Sequence, residues 1–136
     1  MTKFRAVYKI GCVVGTRPEI IKMAPVIFAL RECAWADVRL INTGQHRDLL
    51  DNMLDIFQLK TDVNLNIMTE NQSLGHLTGH LCLKLDDLIK KNPVDILLAA
   101  GDTSSVFISS LIAFYHKISF AHIEAGLRTY IPKDAG

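Results

Sequence analysis

The sequence has little of several features that would place it in a specialised class of protein. Of its 136 residues, 15 are basic and 14 are acidic, so the net charge is +1 and no basic excess marks a surface for nucleic acid or acidic lipid. Its three cysteines are odd in number and far apart, which favours reduced thiols in a cytoplasmic protein over a disulfide framework. No apolar run approaches the roughly 18 residues that a membrane span needs. We therefore expect a cytoplasmic protein with neither nucleic acid nor a membrane as partner.

The N-terminus resembles a first strand more than a signal peptide. Residues 1–5 carry charge, but Lys9 and Gly11 interrupt the apolar stretch that follows them. Hydrophobic residues make up 49% of the chain, enough for one well-buried domain and not for two. We therefore expect residues 1–136 to form a single domain.

Strand and helix patterns alternate along the chain. The predicted strands are 6–14, 38–41, 63–67, 94–100 and 118–123, and the predicted helices are 18–33, 49–57, 73–91 and 106–115. The helix 106–115 is apolar almost all round, which predicts that it is buried. This alternation predicts an α/β fold with a doubly wound parallel sheet.

The turn after the first strand has the chemistry of an anion-binding helix start. Thr16 and Glu19 have the spacing of a capping box, and Pro18 is tolerated in a first helical turn. Arg17 and Lys22 add positive charge to a helix end that already favours anions. The alternative is an ordinary strand-turn-helix unit with surface cations.

Polar side chains recur wherever a predicted strand ends. In a parallel sheet these turns share one edge, where open α/β sheets bind their ligands. Cations there suit a phosphorylated ligand, and two carboxylates suit proton transfer, because their surroundings can separate their pKa values. The residues concerned are Arg17, Glu19, Gln45, His46, Asp102, Thr103, Glu124 and Arg128.

Each of these residues also has a purely structural interpretation. Asp102 stands just before a helix and is equally suited to be its N-cap. Glu124 and Arg128 have the spacing of an i, i+4 ion pair. His46 fits a solvated loop, and His122 is either a core histidine bonded to backbone or a side chain of the crevice.

Two histidines of the long helix have the spacing of metal ligands. His76 and His80 stand at i, i+4, but no carboxylate or cysteine joins them. Both fall on the polar side of the predicted helix, so we favour a solvated face and predict no metal site.

Six short motifs, taken together, carry a resemblance to a known family. They are Gly15-Thr16-Arg17-Pro18-Glu19-Ile20-Ile21-Lys22-Met23-Ala24-Pro25, Gly44-Gln45-His46-Arg47, Asn64-Leu65-Asn66-Ile67-Met68, Gly101-Asp102-Thr103, Ala113-Phe114-Tyr115 and His122-Ile123-Glu124-Ala125-Gly126-Leu127-Arg128-Thr129. Their order and spacing, from about residue 8 to residue 129, resemble those of the non-hydrolysing UDP-N-acetylglucosamine 2-epimerases.

The resemblance implies a fold and a reaction. The fold is glycosyltransferase-B-like, with a sugar nucleotide held between two Rossmann-like halves, of which this chain resembles the N-terminal one. The reaction interconverts UDP-N-acetylglucosamine and UDP-N-acetylmannosamine. UDP is eliminated to give 2-acetamidoglucal, then re-adds, and C2 is reprotonated on its other face. No metal or nicotinamide cofactor is needed.

The resemblance also assigns roles to residues. Asp102 and Glu124 are the catalytic carboxylates, and Arg17 and Lys22 lie at the active site and help to hold the ligand. His122 and Arg128 match positions that bind substrate. Separately, Gln45 and His46 match a loop that helps bacterial members hold a second, activating UDP-N-acetylglucosamine.

The resemblance covers only part of the family pattern. A segment with a further catalytic carboxylate, and a second domain with a catalytic histidine and most uridine and diphosphate contacts, have no counterpart in residues 1–136. We therefore expect an N-terminal half that is inactive alone. Its expected partners are a UDP-sugar and either a second copy, as in homodimeric full-length members, or a missing second half.

Two other classes of function compete with this interpretation. A non-catalytic binding or assembly module would pair with a separately encoded second half, or dimerise through surface that the missing domain leaves bare. A flavodoxin-like signalling domain would need acidic residues after the first strand, where Arg17 stands, so we rank it last.

Overall fold

Helices and strands alternate along residues 7–101 and 103–124, the part of the chain that the computed structural model describes. The strands are β1 (Tyr8–Val14), β2 (Ala36–Asn42), β3 (Val63–Asn64), β4 (Ile96–Ala100) and β5 (Ser119–Ile123). The helices are α1 (Arg17–Arg31), α2 (Arg47–Ile56), α3 (Leu74–Lys91) and α4 (Ser104–His116). The predicted alternation is confirmed, and most element ends lie within two or three residues of the prediction.

The sheet is parallel throughout, with the strand order β3-β2-β1-β4-β5. In the register, Ile10 of β1 lies beside Val38 of β2 on one side and Ile96 of β4 on the other. This order defines a Rossmann-like, doubly wound sheet, so the predicted fold class is confirmed. The chain reverses its direction of winding between β1 and β4, and a ligand crevice is expected outside the carboxyl ends of those two strands.

Each face of the sheet has its own hydrophobic core. On one face β1 and β4 pack against α1 and α2, with Ile20, Met23, Ala24 and Ile27 as the fully buried side chains of α1. On the other face the sheet packs against α3 and α4, through residues such as Leu81, Leu85, Ile108 and Ile112. Burial on both faces explains why β4 is a continuous apolar run.

Helix α4 is buried on one side only, which corrects the prediction of full burial. Ile108, Ile112 and Ala113 face the sheet, but Phe107 is 62% exposed and Phe114 is 77% exposed. A helix in the outer layer of a sheet covered by helices on both faces needs only one apolar stripe, and hydrophobicity alone does not tell which sides of the helix are covered. Across the described ranges no helix is both long and apolar enough to cross a membrane.

Strand β3 is shorter than its alternating sequence predicts. It ends at Asn64, because the Asn64 Oδ1 accepts the Asn66 N–H (2.9 Å) and Asn66 takes a left-handed conformation (φ 51°). An Asx turn of this kind replaces extended backbone. Leu65 and Ile67 nevertheless stay buried, and their N–H groups still bond to the Asn42 and Thr43 carbonyls.

The three cysteines are free thiols. Cys12 lies in the core, and burial raises the pKa of its thiol to about 12. A thiol that stays protonated at neutral pH is a poor nucleophile. Cys33 and Cys82 are half-buried, so the expectation of mostly buried thiols is met fully by Cys12 alone.

An ion pair between α3 and α4 gives the fold a measurable acid sensitivity. The Nε2 of His116 lies 2.7 Å from Asp86 Oδ1, and this hydrogen bond, followed by that of Lys90, lowers the pKa of Asp86 below its usual range. The carboxylate therefore stabilises the fold above an ordinary aspartate pKa of about 3.9, and the contribution is lost as the pH falls through the lowered pKa.

We expect Asp86→Asn to lower Tm relative to the unchanged chain near neutral pH, with the difference shrinking as the pH falls below the ordinary aspartate pKa. Thermal unfolding followed by circular dichroism at a series of pH values measures this. Asp87→Asn is the matched control, because Asp87 pairs with exposed Lys91 and with no other described residue, and it should change Tm much less. Equal effects of the two variants at every pH would contradict the assignment.

Candidate functional site

The turn after β1 is closed by a capping arrangement close to the predicted one. Thr16 is the N-cap of α1, and its Oγ1 accepts the Glu19 N–H (3.4 Å). The Glu19 Oε1 accepts the N–H of Gly15 (2.9 Å), one residue before the N-cap, where a capping box uses the N-cap itself. The carboxylate thus closes the strand end as well as the helix start.

The same carboxylate reaches the turn after β4. The hydroxyls of Thr16 (2.7 Å) and Thr103 (2.9 Å) both donate to Glu19 Oε2, although Thr103 lies 84 residues further along the chain. Glu19 is only 1% exposed. A buried carboxylate needs such donors, because burial without them is strongly unfavourable.

Helix α4 is capped by Thr103. Its Oγ1 accepts the Ser105 N–H (3.3 Å), so the interpretation of Asp102 as the N-cap is wrong. Asp102 itself lies outside the described residues, as does Arg128, and their proposed roles stay predictions.

Two predicted site residues, Lys22 and His122, lie at Gly101, and a third, Glu124, lies beside His122. Gly101 has a φ of 88°, a conformation that favours glycine, and a Cβ built on it would lie 4.0 Å from the Lys22 Nζ. Its N–H donates to the Ile123 carbonyl (3.1 Å), and its own carbonyl accepts a hydrogen bond from the His122 Nε2. The turn therefore joins the carboxyl ends of β4 and β5 beside the α1 ammonium group.

His122 combines the two interpretations that the sequence left open. It bonds to backbone, and its Nε2 also lies 3.6 Å from Glu124 Oε1. The Nε2 carries a proton in this arrangement, because a carbonyl can only accept. The side chain of His122 is 13% exposed and that of Glu124 is 29% exposed, so the carboxylate has both a neighbouring imidazole N–H and access to solvent.

The remaining predicted site residues lie on the same edge but further out. Arg17 is the exposed first residue of α1. Gln45 is half-buried against the first turn, where a Cβ on Gly15 would lie 3.0 Å from its Cδ, and the Thr43 hydroxyl donates to its Oε1 (3.2 Å). His46 is exposed and begins α2 without a capping bond from its side chain.

The helix histidines do not form a pair. His76 is exposed and contacts Ser73, whereas the Nδ1 of half-buried His80 lies 3.2 Å from both the Ile67 carbonyl and the Gln72 Nε2. The solvated-face interpretation is therefore wrong for His80, which ties α3 to the segment after β3. Within the described ranges, no three His, Cys, Asp or Glu side chains are grouped to hold a metal.

A cavity of about 340 Å³ adjoins this edge of the sheet. Leu74, Leu77 and Leu81 of α3 give it an apolar wall, and Gln45 and Thr103 lie on its polar side. Such a mixture of apolar surface and a few polar groups is typical of small-molecule sites. The sequence analysis missed this wall, because the α3 leucines have the same spacing as an ordinary core face.

Glu19 is the other residue whose part was missed. The Thr-x-x-Glu spacing predicted its local bonds, but no sequence signal links it to Thr103, since that contact depends on how closely α1 and α4 approach. The described side chains therefore define an α/β protein with a polar crevice at the switch point of its sheet, bearing cations, carboxylates and a histidine.

Comparison with known proteins places this chain in a family. Residues 29–134 match the model of the UDP-N-acetylglucosamine 2-epimerase family, so the chain belongs to that family. It is 48% identical to UDP-N-acetylglucosamine 2-epimerases from Bacillus subtilis and Neisseria meningitidis, over 89% and 90% of this chain. The match covers 32% and 33% of those proteins, so the chain spans about a third of their length.

Solved structures of UDP-N-acetylglucosamine 2-epimerases superimpose on this chain. A crystal structure of a UDP-N-acetylglucosamine 2-epimerase superimposes with a TM-score of 0.82 at 45% identity, covering 94% of this chain and 36% of the other. The Neisseria meningitidis enzyme, bound to UDP-GlcNAc, superimposes with a TM-score of 0.80 at 45% identity, over 93% and 36%. The predicted fold, the N-terminal part of a glycosyltransferase-B-like architecture, is confirmed. The chain covers about a third of these structures, less than the half that the resemblance implied.

Proposed function

We propose that residues 1–136 form the N-terminal Rossmann-like domain of a cytoplasmic enzyme that interconverts UDP-N-acetylglucosamine and UDP-N-acetylmannosamine. One observation carries the proposal: in a chain of this family, Lys22 and His122 lie at Gly101, and Glu124 lies beside His122. This group of residues lies at the switch point of the sheet, where a sugar nucleotide would be expected. The free thiols fit a reducing compartment.

The proposed chemistry is an elimination followed by an addition. Loss of the C2 proton and departure of UDP from C1 give 2-acetamidoglucal, and UDP then returns to C1 while a proton returns to the other face of C2. Glu124 is partly open to solvent and beside the protonated Nε2 of His122, which suits a group that exchanges a proton. We assign the second carboxylate to Asp102, which follows Gly101 in the sequence.

The cationic side chains of α1 have a different proposed role, which is to bind the ligand. Lys22 and Arg17 would hold negative charge on the diphosphate, and Arg128 and His122 would contact the substrate. The reaction is redox-neutral overall, so it consumes no nicotinamide. Gln45, packed against Gly15, and His46 would take part in binding a second, activating UDP-sugar.

A polypeptide of residues 1–136 alone is expected to show no epimerisation, since the proposal assigns these residues one wall of a two-walled cleft. Joining residues 1–129 to the part of the Bacillus subtilis relative that follows its matching segment should give an active protein, called the joined enzyme below. Proton NMR of UDP-N-acetylglucosamine measures the appearance of the manno epimer. A folded joined enzyme without turnover would contradict the proposal, and turnover by residues 1–136 alone would contradict the division of the cleft.

The second candidate function is a module that assembles with a separately made second half. It is favoured by the exposed aromatic side chains of α4, Phe107, Phe114 and Tyr115, of which the last is 61% exposed. The two parts of the joined enzyme, made as separate polypeptides and mixed, distinguish the candidates: turnover on mixing supports assembly, and turnover only when they are joined does not.

A further inference from the structure

We infer that Glu19 is a positioning residue of the candidate site, which sets the spacing between the turn after β1 and the turn after β4. Nothing in the proposed reaction requires Glu19 to touch substrate, and its burial keeps it from doing so. The purpose that we assign to this spacing, the binding of a UDP-sugar, rests on the proposed function.

The hydrogen bonds around Glu19 have a fixed direction. Each threonine hydroxyl has one proton, and both donate it to Glu19 Oε2. Their lone pairs are thereby left to accept the helix N–H groups of Glu19 and Ser105. One carboxylate thus orients the N-cap hydroxyls of both α1 and α4. Because the two hydroxyls share this carboxylate, loss of the hydrogen bond at one turn disturbs the hydrogen bond at the other.

This linkage places the groups of the site. Lys22 lies one turn beyond Glu19 on α1, and a Cβ on Gly101 would lie 3.7 Å from the Glu19 Cγ and 4.0 Å from the Lys22 Nζ. The turn that contains Gly101 also accepts the bond from His122. Holding Thr103 against Glu19 therefore holds the His122 and Glu124 side of the crevice at a set distance from the Lys22 side.

Glu19 also occupies the donors that an external anion would use. A helix N-terminus after a β-strand ordinarily binds phosphate through its free N–H groups. Here the Gly15 N–H and the two cap hydroxyls already face an internal carboxylate. We therefore assign the diphosphate of a sugar nucleotide to the side-chain cations of α1.

The first test follows the Gly15 amide of the 136-residue chain by NMR. Thr103→Val removes one donor from Glu19, and the Gly15 N–H should then shift its resonance and exchange with solvent about tenfold faster, as expected for one weakened hydrogen bond. Thr103→Ser keeps the hydroxyl and should restore both values. Ser73→Ala, which removes the cap of α3 where no carboxylate of the described part of the chain links it to another turn, should leave Gly15 unchanged.

The second test measures what the spacing does. UDP-N-acetylglucosamine is titrated into the unchanged chain, Thr103→Val, Thr103→Ser and Glu19→Gln while the Lys22, Gly101 and His122 amides are followed. We expect Thr103→Val and Glu19→Gln to weaken binding about tenfold or more, and Thr103→Ser to bind like the unchanged chain, because misplaced contacts lose affinity.

The outcomes separate the two claims. An unchanged Gly15 amide in folded Thr103→Val overturns the positioning role. If UDP-N-acetylglucosamine moves no site amide of the unchanged chain, the proposed ligand fails while the Gly15 result still decides the part of Glu19. If all four chains bind equally, the ligand stands and the inference fails.

Discussion

Replacing Glu124 by Gln in the joined enzyme is expected to lower kcat by about 10²–10⁴-fold, the usual contribution of a positioned general acid or base. The amide keeps the shape of the side chain but cannot take or return the C2 proton. KM should change little, because Glu124 is assigned to proton transfer and the diphosphate to Lys22 and Arg17. Initial rates over a range of UDP-N-acetylglucosamine concentrations separate the two parameters.

The control for this variant is Glu32→Gln. Glu32 is an exposed carboxylate at the C-terminal end of α1, the end remote from the crevice. It should keep the kcat of the joined enzyme, and both variants should keep its Tm, since the Glu124 side chain is partly exposed. A Glu124→Gln enzyme with undiminished kcat would remove Glu124 from the catalytic pair.

Replacing Gly44 by Ala is expected to lower the free energy of unfolding by about 2–4 kcal/mol. Gly44 has a φ of 79°, and an added Cβ would lie 2.8 Å from the backbone N and Cα of Asn66 and 2.5 Å from Asn64 Oδ1. Backbone cannot move aside as a side-chain end can, so strain and collision add together. The collision lies where β2 ends and the segment with Gln45 begins.

Gly79→Ala is the matched control for the same change of residue type. Gly79 lies inside α3 with open space around the position of a Cβ. Alanine there should raise the free energy of unfolding by about 0.5–1 kcal/mol, because glycine weakens helix interiors. Urea unfolding followed by circular dichroism measures both, and a Gly44→Ala chain as stable as Gly79→Ala would contradict the described turn.

The sequence predicted the fold well because its signals are local. The continuous apolar run of β4 fits a strand covered on both sides, and Pro93 correctly marked the end of α3, whose C-cap is Asn92. Strand β3 was overestimated because alternation does not reveal the Asx turn at Asn64. Burial of α4 was overestimated because a helix in the outer layer of this three-layer fold has one side exposed to solvent.

The site was predictable only up to the edge of the sheet on which it lies. The strand ends placed Glu124 at this edge, and the resemblance added Lys22 and His122. The approach of Lys22 and His122 to Gly101 depends on a left-handed turn that the sequence does not specify. The bond from Thr103 to Glu19 depends on the approach of two helices that are far apart in the sequence. Such contacts arise from tertiary packing, so the spacing of residues along the chain does not predict them.

The most direct test of the central claim is proton NMR of UDP-N-acetylglucosamine with the joined enzyme in D₂O. If residues of this chain form the wall that exchanges the C2 proton, the manno epimer will appear and the C2 proton signal will be lost to deuterium in both epimers. A folded joined enzyme that gives neither the manno epimer nor deuterium at C2 would contradict the account.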